Sequence, residues 1–260
     1  MKLLVLISFL SISILLAACS HFRSKNAEKL SGRVDLGKLT EHIFVAEDTF
    51  CYPENSAVYI GEKQVTVISA TWTPETARLL VEKIRQLTDK PIAAVIDTHF
   101  HLDRTGGNPY FKQIGARIIG SKMTSELMKQ NWDDRIKGAQ KDYLNFPQIP
   151  LVLPDVTFVD KFDLENGKVQ VRYFGASHTE DDAVVYFPEE EILFGDCVLK
   201  EKLGYLGDAN LVEYPKTLEK IKKLKIKKII AGHWKAIHGP ELIDEELELL
   251  KNLSASGVQQ

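Results

Sequence analysis

A four-layer α/β fold, two packed β-sheets with helices on their outer faces (αββα), is predicted by three features of this chain. Strand-like and helix-like segments alternate in two halves, each mixing hairpins with helical crossovers. Segment 92–96 is a continuous apolar run, the mark of a strand covered on both faces. His, Asp and Cys side chains fall just beyond strand ends, where binding groups converge on one rim. With 260 residues, 44% of them hydrophobic, the chain can build a sizeable core.

The first eighteen residues read as a secretory signal: Lys2, an apolar stretch over 3–16, then small residues. Cys19 directly after Ala17-Ala18 resembles the lipidated first residue of a bacterial lipoprotein, and Ser20 fits outer-membrane sorting. The expectation is a periplasmic protein of a Gram-negative bacterium, anchored through Cys19, with 19–40 as a polar tether and 41–260 as the folded domain. Cys51 and Cys197 then remain in an oxidising compartment, and both are expected to be reduced. Net charge is −3 with both signs mixed along the chain, which gives nucleic-acid binding no support. A monomer is expected.

Strands are predicted at 42–46, 57–60 and 64–69, rich in Val and Ile. Thr73-Pro74-Glu75 opens a helix with a hydroxyl cap, proline at the first position and an early acid. Its buried stripe is Ala77, Leu80, Val81, Ile84 and Leu87, and Pro91 stops it. Strands at 92–96 and 116–119 precede a long helix over 124–143 and a loop punctuated by Pro147, Pro150 and Pro154. Strands follow at 169–174, 183–187 and 191–194, then a helix at 214–224, a strand at 228–231 and a last helix at 240–253.

Behind the strand at 92–96 comes His99-Phe-His101-Leu-Asp103-Arg104. In an extended segment alternate side chains share a side, so His99, His101 and Asp103 could converge. Three more metal-capable residues, His178, Cys197 and His233, follow downstream. Imidazole and thiolate ligands with one carboxylate suit zinc. His99, His101 and His178 make one set of three, and Asp103, Cys197 and His233 another. Each leaves a coordination position open, as catalytic rather than structural zinc does. One or two zinc ions per chain are expected, two being favoured by the ligand count. His42 and His238 read as structural or surface histidines.

These segments resemble the metallo-β-lactamase superfamily: His99-x-His101-x-Asp103, Gly175-Ala-Ser-His178-Thr179, Gly195-Asp196-Cys197 and Ala231-Gly232-His233. The thioesterase and glyoxalase branch usually has His where Arg104 stands and Asp where Cys197 stands. Further segments, Ala70-Thr-Trp72-Thr-Pro74 and Cys197-Val-Leu-Lys200-Glu-Lys202-Leu-Gly204 among them, resemble the carbapenem-hydrolysing mono-zinc subclass. That subclass has Asn where this chain has His99, the residue of the di-zinc subclass. Tyr205 is a second departure, standing where an Asn usually meets the substrate carbonyl.

The resemblance implies a zinc-dependent hydrolase acting on the β-lactam amide, with carbapenems preferred and antibiotic resistance as the outcome. It implies that Lys200 holds the substrate carboxylate, that the helix from Thr124 arches over the site, and that Trp72 lines the pocket. Arg104 and Asp196 would support the ligands from behind. If only the Asp–Cys–His set is filled, His101 or Asp103 would be the general base. The rivals are a thioesterase or lactonase of the same fold and a non-enzymatic zinc-binding lipoprotein. A serine-nucleophile lactamase is excluded, because no Ser-x-x-Lys tetrad occurs.

Overall fold

The computed structural model describes residues 33–143 and 145–255, so the signal segment, Cys19 and most of the tether lie outside the described residues. Sheet one has seven strands in chain order: β1 (Val34–Lys38), β2 (Ile43–Asp48), β3 (Glu54–Ile60), β4 (Val65–Ile68), β5 (Ile92–Asp97), β6 (Arg117–Ser121) and β7 (Val156–Phe158). Pairing is antiparallel from β1 to β4 and parallel from β4 to β7. Sheet two orders β13 (Ile237–His238), β12 (Lys228–Ala231), β11 (Ile192–Asp196), β10 (Ala183–Phe187), β9 (Val169–Tyr173) and β8 (Lys161–Leu164).

Period-two alternation places one face of each sheet against the other. Ile43, Val45, Ala57, Ile68, Ala94 and Ile96 meet Val171, Val185, Phe194 and Ile230 in the inter-sheet core. The opposite faces are covered by helices. Phe44, Val58, Val67 and Val95 pack under α1 (Pro74–Arg85). Val184, Leu193 and Ile229 pack under α5 (Tyr214–Ile221) and α6 (Leu242–Ala255). The four layers expected from the sequence are present. Thr73 caps α1 by accepting from the Thr76 amide, a contact worth about 1 kcal/mol.

Two expectations are corrected. Part of the segment 19–40 expected as tether belongs to the fold, because Val34–Lys38 pairs with β2; Val34 and Leu36 alternate inward between polar residues, too short a signal to stand out in the sequence. The His99–Asp103 stretch is not extended. β5 ends at Asp97, His101 is the N-cap of a single-turn helix α2 (Leu102–Thr105), and a second short helix α3 (Asn108–Gln113) follows. The chain turns there because Gly106 and Gly107 allow contact that any side chain would prevent. A Cβ on Gly107 would lie 1.9 Å from the Ala70 carbonyl oxygen.

The long helix α4 (Lys122–Asp142) starts at the Ser121 cap and lays Met128, Trp132 and Ile136 on Phe50, Phe100, Leu102 and Phe146. This satellite core sets the helix beside the ligand-bearing turn. No helix among the described residues is long and apolar enough to cross a membrane.

Candidate active site

All six predicted metal-capable residues come together at one end of the two sheets, each just past a strand or in the turn that follows it. The Asp103–Cys197–His233 set is tight. Cys197 Sγ lies 3.2 Å from His233 Nε2 and 3.8 Å from Asp103 Oδ2, and His233 Nε2 lies 3.3 Å from that same oxygen. Ligands about 2.0–2.3 Å from a tetrahedral zinc stand about 3.3–3.6 Å apart, so the three donors already sit close to the spacing of a zinc site. His99, His101 and His178 pack edge to face, with ring centroids 4.8, 5.4 and 5.1 Å apart. His99 also stands with His101 and Asp103, and with His178 and Cys197, in groups whose donor atoms lie within 4.8 Å of one another.

Three of the four rings are aimed by what their second nitrogen meets. His99 Nδ1 donates to Asp196 (2.9 Å), which leaves Nε2 buried with no hydrogen-bond partner. His233 Nδ1 donates to the Pro53 carbonyl (2.8 Å), turning Nε2 toward Asp103 and Cys197. His101 Nε2 donates to Asp208 (2.9 Å), leaving Nδ1 for the centre. Outer partners of this kind fix ring orientation in histidine–metal sites. An orphaned buried imidazole nitrogen beside a thiolate and a carboxylate fits a bound cation better than it fits a closed core.

Cys197 is delivered by a local irregularity. The pairing of β11 with β12 shifts between Phe194 and Asp196, and Asp196 takes a left-handed backbone with φ of 51°. Gly232 lets β12 close on that turn, since a Cβ there would lie 2.4 Å from the Asp196 carbonyl carbon. Asn55 then ties the sheets together, its backbone N–H donating to the Gly232 carbonyl (2.8 Å).

Arg104 is the electrostatic hub. It is fully buried and reaches Glu54 (2.6 Å), Asp196 (2.7 Å), Asp103 (3.1 Å), Cys197 Sγ (3.2 Å) and the Gly232 carbonyl (2.9 Å). Burial opposes ionisation of Asp103, yet Arg104 and His233 hold its carboxyl well below the usual range. Burial likewise opposes the Cys197 thiolate, but Arg104 and His233 bring the thiol down to about 7. The thiolate and carboxylate that a cation needs are therefore favoured in advance.

His101, Asp103, His178 and His233 floor a cleft of about 680 Å³ walled by Tyr52, Trp72, Leu102, Tyr143 and Trp234, with α4 contributing Asn131, Arg135 and Ala139. Trp72 stands in the wall, its indole N–H donating to the Tyr52 carbonyl (2.9 Å). Tyr205 is exposed at the rim, its ring 6.0 Å from that of His101. Lys200, expected to hold a substrate carboxylate, is engaged within the fold in this structure. It borders the cleft but is only 1% exposed, and its ammonium turns to the Cys197 carbonyl (2.5 Å), Tyr214 Oη (3.3 Å) and Glu246 (3.9 Å). A buried cation needs such a counter-charge, and Glu246 lies far away on α6, where sequence spacing gives no hint of it.

Sequence reasoning also missed Glu54, Asp208 and Arg135. Arg135 alone left a trace, an arginine next to the apolar stripe Met128–Trp132–Ile136. Cys51 and Cys197 are both free, and burial raises the Cys51 thiol above its ordinary range.

A buried Asp–Cys–His triad beside three imidazoles, on the floor of an open cleft between two sheet ends, defines a metal-dependent hydrolase type of centre. The chain belongs to the metallo-β-lactamase superfamily, whose sequence profile matches residues 49–233. A metallo-β-lactamase type 2 of Elizabethkingia meningoseptica is 30% identical over 78% of this chain and 80% of its own. Another of that name from Bacillus cereus is 26% identical over 96% of this chain and 98% of its own. The metallo-β-lactamase structure from Pontibacter korlensis shares the fold, with a TM-score of 0.73 at 24% identity over 85% of this chain and all of the other.

Proposed function

We propose that this protein is a zinc-dependent β-lactamase that opens the amide of the β-lactam ring, with carbapenems as preferred substrates. The observation that carries the reading is the Asp103–Cys197–His233 triad at near-tetrahedral spacing, set beside three imidazoles under an open cleft. When bound there, zinc supplies Lewis acidity toward a carbonyl oxygen and lowers the pKa of water to about 7.

The chain's own groups have defined tasks. Where only the Asp103–Cys197–His233 set holds an ion, the base in the cleft is Asp103 or His101, and Arg104 keeps Asp103 ionised. Burial keeps His101 neutral, and its Nδ1 can take a proton only while no second ion occupies it. Tyr52, Trp72 and Trp234 give the apolar walls that a compact bicyclic substrate fills, and Tyr205 closes the rim. Two ions are favoured, because His99 offers an imidazole where an amide would bind weakly. Export to the periplasm with lipid on Cys19 belongs to the same proposal, as the place where a resistance enzyme meets its drug.

The test is steady-state hydrolysis of a carbapenem, a cephalosporin and a penicillin across a zinc titration. Carbapenem turnover that a chelator abolishes and zinc restores is expected. An intact carbapenem after prolonged incubation with the zinc-loaded protein would overturn the reading.

A further inference from the structure

The ring of His101 is held from outside the ligand set, by a chain of contacts that begins on the long helix. Asp208, in the loop between β11 and α5, accepts from His101 Nε2 at 2.9 Å. The same carboxylate is gripped by Arg135 of α4, whose Nη2 stands 2.6 Å from both of its oxygens. Arg135 is in turn fixed by packing: its guanidinium lies 5.1 Å from the Phe100 ring centroid and 6.0 Å from that of Tyr205. The loop carrying Asp208 is pinned at its far end, where the Asn210 amide donates to the Ser177 carbonyl (2.9 Å) next to His178.

We infer that Arg135 and Asp208 are positioning residues that couple the seating of α4 to metal binding at His101. The inference rests on the metal-centre reading above. Asp208 selects the His101 tautomer with the proton on Nε2, so that Nδ1 is the nitrogen offered to a cation, and its charge makes that nitrogen a better donor. About a quarter of each side chain in the Arg135–Asp208 pair is exposed, so without Arg135 the carboxylate would turn toward water and release the ring. A helix that lifts off the cleft carries Arg135 with it, and the ion on His101 is then held less tightly. Among the described residues no hydrogen bond or ion pair joins Arg135 or Asp208 to the triad Asp103–Cys197–His233, which should not feel their loss.

The test is zinc affinity, read by competition with a chromophoric chelator, and the visible spectrum after cobalt substitution. Asp208→Asn should weaken the ion on His101 by about 10–100-fold, the usual cost of losing an outer partner. The sulfur-to-cobalt band of the Cys197 site should stay unchanged. Arg135→Met should produce a smaller loss of the same kind, and Arg135→Lys should restore most of it, because one nitrogen already meets both oxygens. The double variant should match Asp208→Asn alone, since Arg135 acts through Asp208.

Wild-type affinity at both sites in Asp208→Asn, or additive losses in the double variant, overturns the coupling while leaving the metal centre standing. A wild-type chain that takes up no zinc ends the metal-centre reading itself. One that takes up a single ion under excess zinc overturns the coupling alone. Thermal melting of each apo variant separates these outcomes from misfolding.

Discussion

Lys200 borders the cleft while its ammonium is held by the fold. A substrate carboxylate would offer it a charged hydrogen bond worth about 1.5–3 kcal/mol. Reaching for it would strip the ammonium of three contacts, with the Cys197 carbonyl, Tyr214 and Glu246. It would also leave buried polar groups without their cation, a cost of similar or larger size. Lys200→Met is therefore expected to lower the urea midpoint while leaving the KM ratio of a carbapenem and its methyl ester unchanged. A ratio that collapses ~10-fold, the worth of a charged hydrogen bond, would show that the lysine swings into the cleft after all. Arg104 makes the complementary point: its place behind the ligands follows from its adjacency to Asp103, but its grip on Glu54 required a strand fifty residues upstream.

Among the elements, α6 has a part that its amphipathic pattern does not announce. Its apolar stripe buries Leu242, Ile243 and Leu250, and the same face carries Glu246 beneath the Cys197 turn. Burial raises the Glu246 carboxyl to about 7 from an ordinary 4.5, the Lys200 ammonium offsetting only part of the shift. The folded chain thus holds that proton more tightly than the unfolded chain does. The resulting stability is full below pH 4.5 and is lost as pH rises through about 7, on the order of 3 kcal/mol in all. Glu246→Gln should flatten this decline when urea midpoints are compared at pH 5 and pH 8. An unchanged slope would mean that another group is responsible.

For the whole molecule, the candidate ligands come from both sheets, so an ion bound among them would join the two halves. His99, His101 and Asp103 follow β5 of sheet one, while His178, Cys197 and His233 follow strands of sheet two. An ion that binds only the folded chain adds about 2.7 kcal/mol at one hundred times its dissociation constant. Melting followed by calorimetry should therefore move upward with added zinc and downward with a chelator. Cys197→Ser should lose most of that response. An apo protein that melts with the zinc-loaded one would place the ligands on a centre that carries no load.

Much of this was legible in the sequence because its signals are local. Val- and Ile-rich runs gave the strands, Thr73-Pro74-Glu75 gave the start of α1, and donor chemistry behind strand ends gave all six candidate ligands. The short strands β1, β7, β8 and β13 were missed, being held by their neighbours rather than by patterns of their own. Sequence by itself determined which atoms can bind a metal and that two packed sheets carry them. Tertiary structure alone decided how those atoms are aimed. Glu54, Asp208, Arg135 and Glu246 act across gaps of dozens of residues, where chain spacing carries no information and only the packed geometry brings the charges within reach.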